Sequence, residues 1–234
     1  MQKITLDEGN TSIKLALFDN DILVSKYNNI DLNFVIKLLP KCDRLILSTV
    51  KYKSNFETLF SNQNFVLLNK STPLPIKVLY KSPTSLGNDR IALAVGATMN
   101  FPNKNVLVID AGTCITYDFI NSKKEYLGGS ISPGIQMRYS ALHQFTSQLP
   151  LLESVDTATL TGINTEGSIH SGVINGVLVE IDGMIQRYTN QYPDIKVIIT
   201  GGNANFFDKG LKNTIFANPN LLMEGLNKIL DYNE

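Results

Sequence analysis

The chain has 234 residues, which is enough for one large domain or two small ones around a buried core. Its formal net charge is zero, so there is no electrostatic case for binding nucleic acid or an anionic membrane. The two cysteines, Cys42 and Cys114, lack paired spacing, which argues against a disulfide framework or a zinc site. The sequence shows neither a signal-like segment nor an apolar run near the roughly 20 residues of a membrane span. We therefore expect a cytoplasmic protein with no nucleic acid and no membrane among its partners.

The first half of the sequence is predicted to alternate strands and helices around one long loop. The predicted elements are strands at 4–7, 13–18, 22–27, 44–50 and 64–69, and helices at 31–40 and 89–100, the first of them capped by Asp31. The segment 71–88, which precedes the second helix, is rich in Pro, Ser, Thr and Gly and is predicted to be a loop. A loop of that length inside a compact domain is often functional.

The second half repeats this plan. Predicted strands at 106–109, 114–120 and 195–200 alternate with helices that begin near 133, span roughly 168–190 and span about 218–231. Helical spacing predicts that four apolar side chains of the first of these helices face the core, namely Ile135, Tyr139, Leu142 and Phe145. The repeat has a period near half the chain length, which is too long for a solenoid. It predicts an α/β protein with two similar lobes, residues 1–104 and 105–234, and a central cleft.

Each half places an acidic glycine turn between its first two strands. In "ITLDEGNTSIKLALFD" (4–19) this turn begins at Asp7, and in "VLVIDAGTCITYDFIN" (106–121) it begins at Asp110. Glycine lets the backbone approach a ligand, and exposed N–H groups, hydroxyls and Lys14 can hold phosphate oxygens. A neighbouring Asp can hold Mg²⁺ directly or through water. Ordinary hairpins use the same residue types, but the presence of two copies favours phosphate binding.

A third glycine turn, "TGG" at 200–202, follows an apolar strand and precedes a predicted helix. Such a turn can admit a nucleobase or a phosphate against bare backbone. Taken alone, it is more often a simple connection between a strand and a helix. Its place as a third turn on the same scaffold favours the nucleotide interpretation.

The three turns in this order resemble the phosphate-1, phosphate-2 and adenosine motifs of the acetate kinase, sugar kinase, Hsp70 and actin superfamily. That resemblance implies a duplicated ribonuclease H-like fold, as in actin-like ATPases. Within the superfamily, six consecutive segments resemble signatures of the type III pantothenate kinases. These are "DEGNTSIK" (7–14), "YKSPTSLGNDR" (80–90), "DAGTCITYD" (110–118), "GGSISPG" (128–134), "LHQFTSQLP" (142–150) and "TGINTEGSIHSG" (161–172).

The resemblance to this family implies an activity and its requirements. The activity is ATP-dependent phosphorylation of the primary hydroxyl of pantothenate, which gives 4′-phosphopantothenate in the first step of coenzyme A biosynthesis. The implied requirements are Mg²⁺ with ATP and a monovalent cation, K⁺ or NH₄⁺. The implied assembly is a homodimer.

The resemblance also implies a role for each residue that matches a family motif. The residues implied to form the ATP loop are Asp7, Glu8, Gly9, Asn10, Thr11, Ser12, Ile13 and Lys14, with Thr113 as a further nucleotide contact. Those implied to hold pantothenate are Tyr80, Gly87, Asn88, Asp89 and Arg90, with Thr165 contributing from the dimer region. Asp110 is implied to be the monovalent-cation ligand, and Asp89 the proton acceptor.

One departure from the family pattern concerns the ATP loop. Glu8 stands where the family usually has an apolar or small residue, and a carboxylate there repels phosphates unless it points away or binds Mg²⁺. The sequence also leaves two alternative functions open. The first is a kinase of the same superfamily that acts on another hydroxyl compound. The second is a non-catalytic nucleotide-binding regulator or accessory protein.

Overall fold

The structure, a computed structural model, describes residues 1–9, 12–51, 54–56, 60, 64–208 and 210–234. The described strands are β1 (Gln2–Glu8), β2 (Ile13–Asp19), β3 (Ile22–Asn28), β4 (Arg44–Thr49), β5 (Phe65–Leu67), β6 (Lys77–Val78), β7 (Val106–Ala111), β8 (Cys114–Ile120), β9 (Glu125–Pro133), β10 (Lys196–Thr200) and β11 (Phe216–Ala217). The described helices are α1 (Leu32–Leu38), α2 (Asn88–Asn100), α3 (Ile135–Gln144), α4 (Thr165–His170), α5 (Gly176–Gln191), α6 (Ala204–Asp208) and α7 (Leu221–Tyr232). The predicted strands and helices are confirmed with ends that shift by a few residues, and the helix predicted at roughly 168–190 contains a π-helical turn. In the described part of the chain, no helix is both long and apolar enough to cross a membrane.

The chain divides into two compact units. The first comprises Met1–Asn103, Ile120–Leu127 and Asn220–Glu234, and the second comprises Lys104–Phe119 and Gly128–Pro219. Helix α7 therefore belongs to the unit that holds the N-terminal strands, although the sequence-based boundaries assign it to the second lobe. The division into two similar lobes at 104/105 stays a prediction.

The first unit is built on a five-stranded sheet in the order β3-β2-β1-β4-β5, in which β1, β2 and β3 are antiparallel and β4 and β5 run parallel to β1. Because side chains alternate along a strand, β1 presents two different faces. Ile4 and Leu6 join an apolar core beneath α1. On the other face, Thr5 contacts Met223 of α7, and Lys3 forms an ion pair of 2.5 Å with Asp231. Both faces of this strand are therefore covered.

Helices α2 and α7 of this unit approach each other closely because glycines lie at their contact. A Cβ added to Gly225 would lie 1.9 Å from the carbonyl oxygen of Ala92. One added to Gly96 would lie 2.6 Å from the carbonyl oxygen of Leu221. The obstacle in both cases is backbone, which cannot move aside as a flexible side chain can.

We expect Gly225→Ala to destabilise the protein by about 1–3 kcal/mol, because overpacking outweighs the better helix propensity of alanine. Gly183→Ala in α5 is the matched control, since a Cβ there meets no described atom within 4 Å. The control should be neutral or stabilising by up to about 1 kcal/mol. Urea unfolding of the two variants measures both effects. Equal stability of the two variants would contradict the close helix contact.

The second unit contains a sheet in the order β11-β10-β7-β8-β9, in which β7, β10 and β11 are parallel. Strand β9 continues into the first unit, where its first residues pair with β6. Long apolar side chains of β7, β10, α3 and α5 form one core. The continuous apolar runs of β7 and β10 in the sequence reflect strands that are buried on both faces.

One sequence expectation for this unit is refined and one is wrong. The helix predicted at roughly 168–190 is confirmed as a helical stretch from Thr165 to Gln191, in which a π-helical turn at Ser171–Asn175 joins α4 to α5. Such turns break the regular ladder of hydrogen bonds and are frequent at functional sites. In α3, Ile135 and Tyr139 are buried as predicted, but Phe145 lies just beyond the helix and is 81% exposed.

Candidate active site

The β1–β2 hairpin places Asp7 directly across from Lys14. Asp7 is buried, and Ser48 of the neighbouring strand donates a hydrogen bond of 2.9 Å to its Oδ1. Burial raises the pKa of Asp7 to about 6, with Asp89 and Glu8 adding to the rise and Lys14 and Ser48 opposing it. The fold thus places Asp89, at the start of α2, near enough to the hairpin for its charge to affect Asp7.

Glu8 lies on the opposite face of β1 from Asp7. Thr49 donates a hydrogen bond of 2.7 Å to its Oε2, and the ammonium of Lys51 lies 2.8 Å from its Oε1. Burial by itself would raise the pKa of Glu8, but the bonds from Lys51, Ser54 and Thr49 together lower it below its ordinary value. The carboxylate is therefore neutralised within the sheet and points away from the side of Asp7. Its predicted contact with ATP stays a prediction.

The remaining residues of the predicted ATP loop are only partly described. Gly9 donates its N–H to the carbonyl oxygen of Ser12 at 3.1 Å, which closes the turn before Ile13 begins β2. Asn10 and Thr11 lie outside the described residues. Their predicted phosphate contacts therefore stay predictions.

The long loop after β5 delivers the predicted pantothenate residues to the N-terminus of α2. Gly87 caps this helix, and a Cβ there would lie 2.2 Å from Oδ1 of Asp89, so a larger residue at this position would push that carboxylate aside. Arg90 is buried, and its guanidinium lies 5.9 Å from the ring centroid of Tyr80, within cation–π range. Asn88 donates a hydrogen bond of 2.8 Å to the carbonyl oxygen of Leu68.

Lys70 lies in the same loop, and the sequence did not single it out. Its ammonium donates to the carbonyl oxygen of Leu86 and to Oδ1 of Asn88, which lie on either side of Gly87. Partial burial lowers the pKa of Lys70, and the nearby Asp89 opposes that shift. A single lysine in a polar loop carries no sequence signal that separates it from a solvated surface residue.

The second unit brings two of the family signatures and the "TGG" turn together around Asp110–Thr113. Gly201 has a φ of +95°, and a Cβ on it would lie 2.4 Å from Oδ1 of Asp110. On the other side, Gly134 donates its N–H to the carbonyl oxygen of Thr113 at 3.1 Å. A Cβ on Gly134 would lie 2.3 Å from that oxygen. The Asp110–Thr113 turn is therefore packed between two stretches of bare backbone.

Thr165, the remaining predicted substrate residue, is the first residue of α4 in the second unit. The preceding Asn164 caps this helix by accepting a hydrogen bond of 2.7 Å from the N–H of Gly167. Thr165 lines a cavity of about 450 Å³ whose walls include Leu142 and Ile169. Its predicted contact with pantothenate stays a prediction.

The donors of the first unit fit Mg²⁺ held together with a nucleotide. Among the described residues, no group of three or more His, Cys, Asp or Glu side chains could hold a metal ion by itself. Mg²⁺ commonly uses one or two carboxylates and completes its shell with phosphate oxygens and waters. Asp7 suits this arrangement. Burial and the negative charge of Asp89 both raise its pKa, and a bound cation would offset both effects.

Similar solved structures define the class of fold. One is an activator of 2-hydroxyisocaproyl-CoA dehydratase from Clostridium difficile with bound ADPNP, at 11% identity and a TM-score of 0.53, covering 100% of this chain and 94% of that one. Another, from Sinorhizobium meliloti, is assigned as a 2-dehydro-3-deoxygalactonokinase, at 11% identity and a TM-score of 0.58, covering 97% of each chain. A Campylobacter jejuni protein assigned as a Baf family transcriptional activator has 22% identity and a TM-score of 0.68, covering 98% of each chain. The protein has the α/β fold of actin-like ATPases and sugar kinases, as predicted.

Sequence comparison narrows this class to one family. The sequence model of the type III pantothenate kinase family matches residues 3–187 of this chain. The type III pantothenate kinase of Cytophaga hutchinsonii is 44% identical over 232 residues, covering 98% of this chain and 99% of the relative. That of Flavobacterium johnsoniae is 42% identical over 237 residues, covering 98% and 97%. The chain belongs to the type III pantothenate kinase family, which confirms the resemblance found in its motifs.

Proposed function

We propose that this protein transfers a phosphoryl group from ATP to the primary hydroxyl of pantothenate and so makes 4′-phosphopantothenate for coenzyme A biosynthesis. The match to the family over residues 3–187 carries this proposal. The protein is a kinase, and kinases of this family use ATP with a divalent metal, which we propose to be Mg²⁺. This activity is preferred over the two other functions that the sequence left open, because the named relatives cover nearly the whole chain.

Asp89 is the proposed proton acceptor for the pantothenate hydroxyl. Phosphoryl transfer asks a protein chiefly for positioning and charge neutralisation, so Asp89 orients the hydroxyl and takes its proton late in the reaction. Asp89 lies in the first turn of α2, near the positive end of the helix dipole. Arg90, Tyr80, Asn88 and Gly87 are proposed to hold the rest of pantothenate, whose carboxylate suits a guanidinium.

The two acidic glycine turns are proposed to hold the nucleotide. Lys14 and the N–H groups of the Asp7–Lys14 loop bind phosphate oxygens, and Thr113 is a further contact. Asp7 would hold Mg²⁺, which when bound neutralises charge on the phosphates. Asp110 is proposed to hold K⁺ or NH₄⁺, and its Oδ1 and the Ala111 carbonyl oxygen both lie against the backbone of Gly201, so two oxygens are close together at this turn.

We propose a homodimer to which Thr165 of each copy contributes. Apolar side chains around α4 and α5 are unusually exposed, which favours contact with a second copy. The exposed fractions are 81% for Phe145, 85% for Leu160, 97% for Ile163 and 72% for Val179. Sedimentation at working concentration tests this proposal, and a monomer would contradict it. We further propose a cytoplasmic location without nucleic-acid or membrane partners, consistent with the zero net charge.

The first experiment is ATP turnover with pantothenate, run with and without K⁺ or NH₄⁺. We expect ADP production that depends on pantothenate and is stimulated by the cation. Phosphorylation of a different hydroxyl compound in a panel of acceptors would replace pantothenate as the substrate. Binding of ATP without turnover on any acceptor would contradict the kinase proposal.

A further inference from the structure

A cluster of one arginine, one glutamate and one tyrosine joins three elements of the second unit. Arg138 of α3 and Glu180 of α5 form an ion pair, with 2.5 Å between Nη2 and Oε2. The buried Tyr117 of β8 donates its hydroxyl proton to Oε1 of Glu180 at 2.9 Å. No motif in the sequence singled out this cluster.

Arg138 also holds the segment that leads from β9 into α3. Its Nε donates to the carbonyl oxygen of Pro133 at 2.9 Å, and its Nη2 donates to Oγ of Ser132 at 3.1 Å. A guanidinium is planar and carries five donors, so one side chain can fix this backbone and Glu180 together. The ammonium of a lysine lacks that fork.

The segment that Arg138 holds, Ser132 to Gly134, packs tightly against the Asp110–Thr113 turn. Gly134 follows Pro133 directly and donates its N–H to the carbonyl oxygen of Thr113 at 3.1 Å. A Cβ on Gly134 would lie 2.3 Å from that oxygen and 2.5 Å from the carbonyl oxygen of Gly112. Any displacement of Pro133 and Gly134 therefore either breaks this hydrogen bond or moves the turn.

The charge state of the cluster suits this holding role. Burial alone would raise the pKa of Glu180, but hydrogen bonds from Arg138, Ser132 and Tyr117 together lower it below its ordinary value. The carboxylate is thus ionised at neutral pH and accepts from three donors. Arg138 and Glu180 are 21% and 29% exposed, so water screens the pair less than it screens a surface pair.

We propose that Arg138 and Glu180 are positioning residues for the Gly112-Thr113 turn and, through it, for the phosphates of ATP. The inference rests on the proposed function, in which Thr113 contacts the nucleotide. It concerns two residues that do not touch the reacting atoms. Their effect should therefore appear in the binding of ATP and leave the binding of pantothenate nearly unchanged.

The test is steady-state kinetics of full-length Arg138→Met and Glu180→Gln with each substrate varied in turn. We expect KM for ATP to rise about tenfold or more, the size of one lost charge-assisted interaction. KM for pantothenate should change by less than about twofold. Arg138→Lys should recover part of the loss, because it restores the charge without the fork. The double variant should be little worse than Arg138→Met, since the two residues act as one unit.

Several controls separate positioning from simple loss of folded protein. Misfolding lowers kcat by reducing active enzyme and leaves both KM values in place. Arg187→Met, at an exposed arginine of α5, is the matched control and should behave as wild type. If Arg138→Met does not fold, Glu180→Gln and Tyr117→Phe test the same cluster.

Two outcomes distinguish the possible failures. Unchanged KM for ATP in folded Arg138→Met and Glu180→Gln would overturn the positioning role. Wild-type protein without pantothenate-dependent ADP production would instead overturn the proposed function. In that event calorimetric ATP binding, measured without pantothenate, still tests the pair, because the variants should bind ATP about tenfold more weakly than wild type.

Discussion

Asp89→Asn should lower pantothenate-dependent ATP turnover by about 10²–10⁴-fold, the range that a positioned proton acceptor contributes. Asparagine has the same shape as aspartate and fits the same space beside Gly87, where an added Cβ would lie 2.2 Å from the carboxylate oxygen. The N-terminus of α2 should therefore keep its geometry. What the variant loses is the ability to accept the proton of the substrate hydroxyl. Single-turnover measurement of phosphoryl transfer at saturating ATP and pantothenate tests this prediction directly.

Nucleotide binding should survive in Asp89→Asn. The negative charge of Asp89 helps to raise the pKa of Asp7, so its removal makes Asp7 easier to ionise. Calorimetric affinity for ATP with Mg²⁺ should accordingly be unchanged or slightly higher. Asp31→Asn is a matched control, because Asp31 caps α1 through a 2.8 Å bond from the N–H of Phe34 and asparagine caps equally well. Normal turnover by Asp89→Asn would remove Asp89 from its proposed role.

Much of the fold follows from local sequence patterns. The apolar residues of "ITLDE" and the continuous apolar run of β7 indicate two strands, both of which are buried over most of their length, and the glycine turns that follow them mark where they end. Helix α7 was also predicted as a helix. Its place in the first unit depends on Gly225 and Ala92, which are far apart in sequence. Local periodicity carries no information about such a pairing.

The residues of the candidate site also fall into two groups, those that local sequence indicates and those that only the fold brings together. Motif order predicted roles for Asp7, Asp89 and Asp110, because each lies in a glycine-containing segment with its own signature, and these roles stay predictions. The direction of Glu8 follows from strand alternation once β1 is extended to Glu8, which places neighbouring side chains on opposite faces. Ser48 and Glu180 have no such signal, since their roles come from hydrogen bonds to residues that are distant along the chain. Partners of this kind become visible only when the fold is known.

Asp7→Asn should stabilise the ligand-free protein at neutral pH while it removes activity. The pKa of Asp7 is raised to about 6 from an ordinary value of 3.8, chiefly by burial. Between these two values the folded state binds more protons than the unfolded state, so the stability of the wild type falls as pH rises through this window. Asparagine carries no charge to bury and can still accept the bond from Ser48. The gain should be on the order of 1–3 kcal/mol above pH 7.

The dependence on pH and ligand makes the Asp7→Asn prediction specific. Urea unfolding should give a gain for Asp7→Asn that is clearly smaller at pH 5 than at pH 7.5, because Asp7 of the folded wild type is mostly protonated at the lower pH. Mg²⁺ with ATP should reverse the order, since a ligand stabilises only the form that binds it and the variant lacks the carboxylate proposed to hold the metal. A gain that does not depend on pH would show that burial of the charge is not its cause. We thus expect the buried carboxylate of a cation site to lower the stability of the protein when the cation is absent. Substitutions that remove such functional groups are commonly stabilising for this reason.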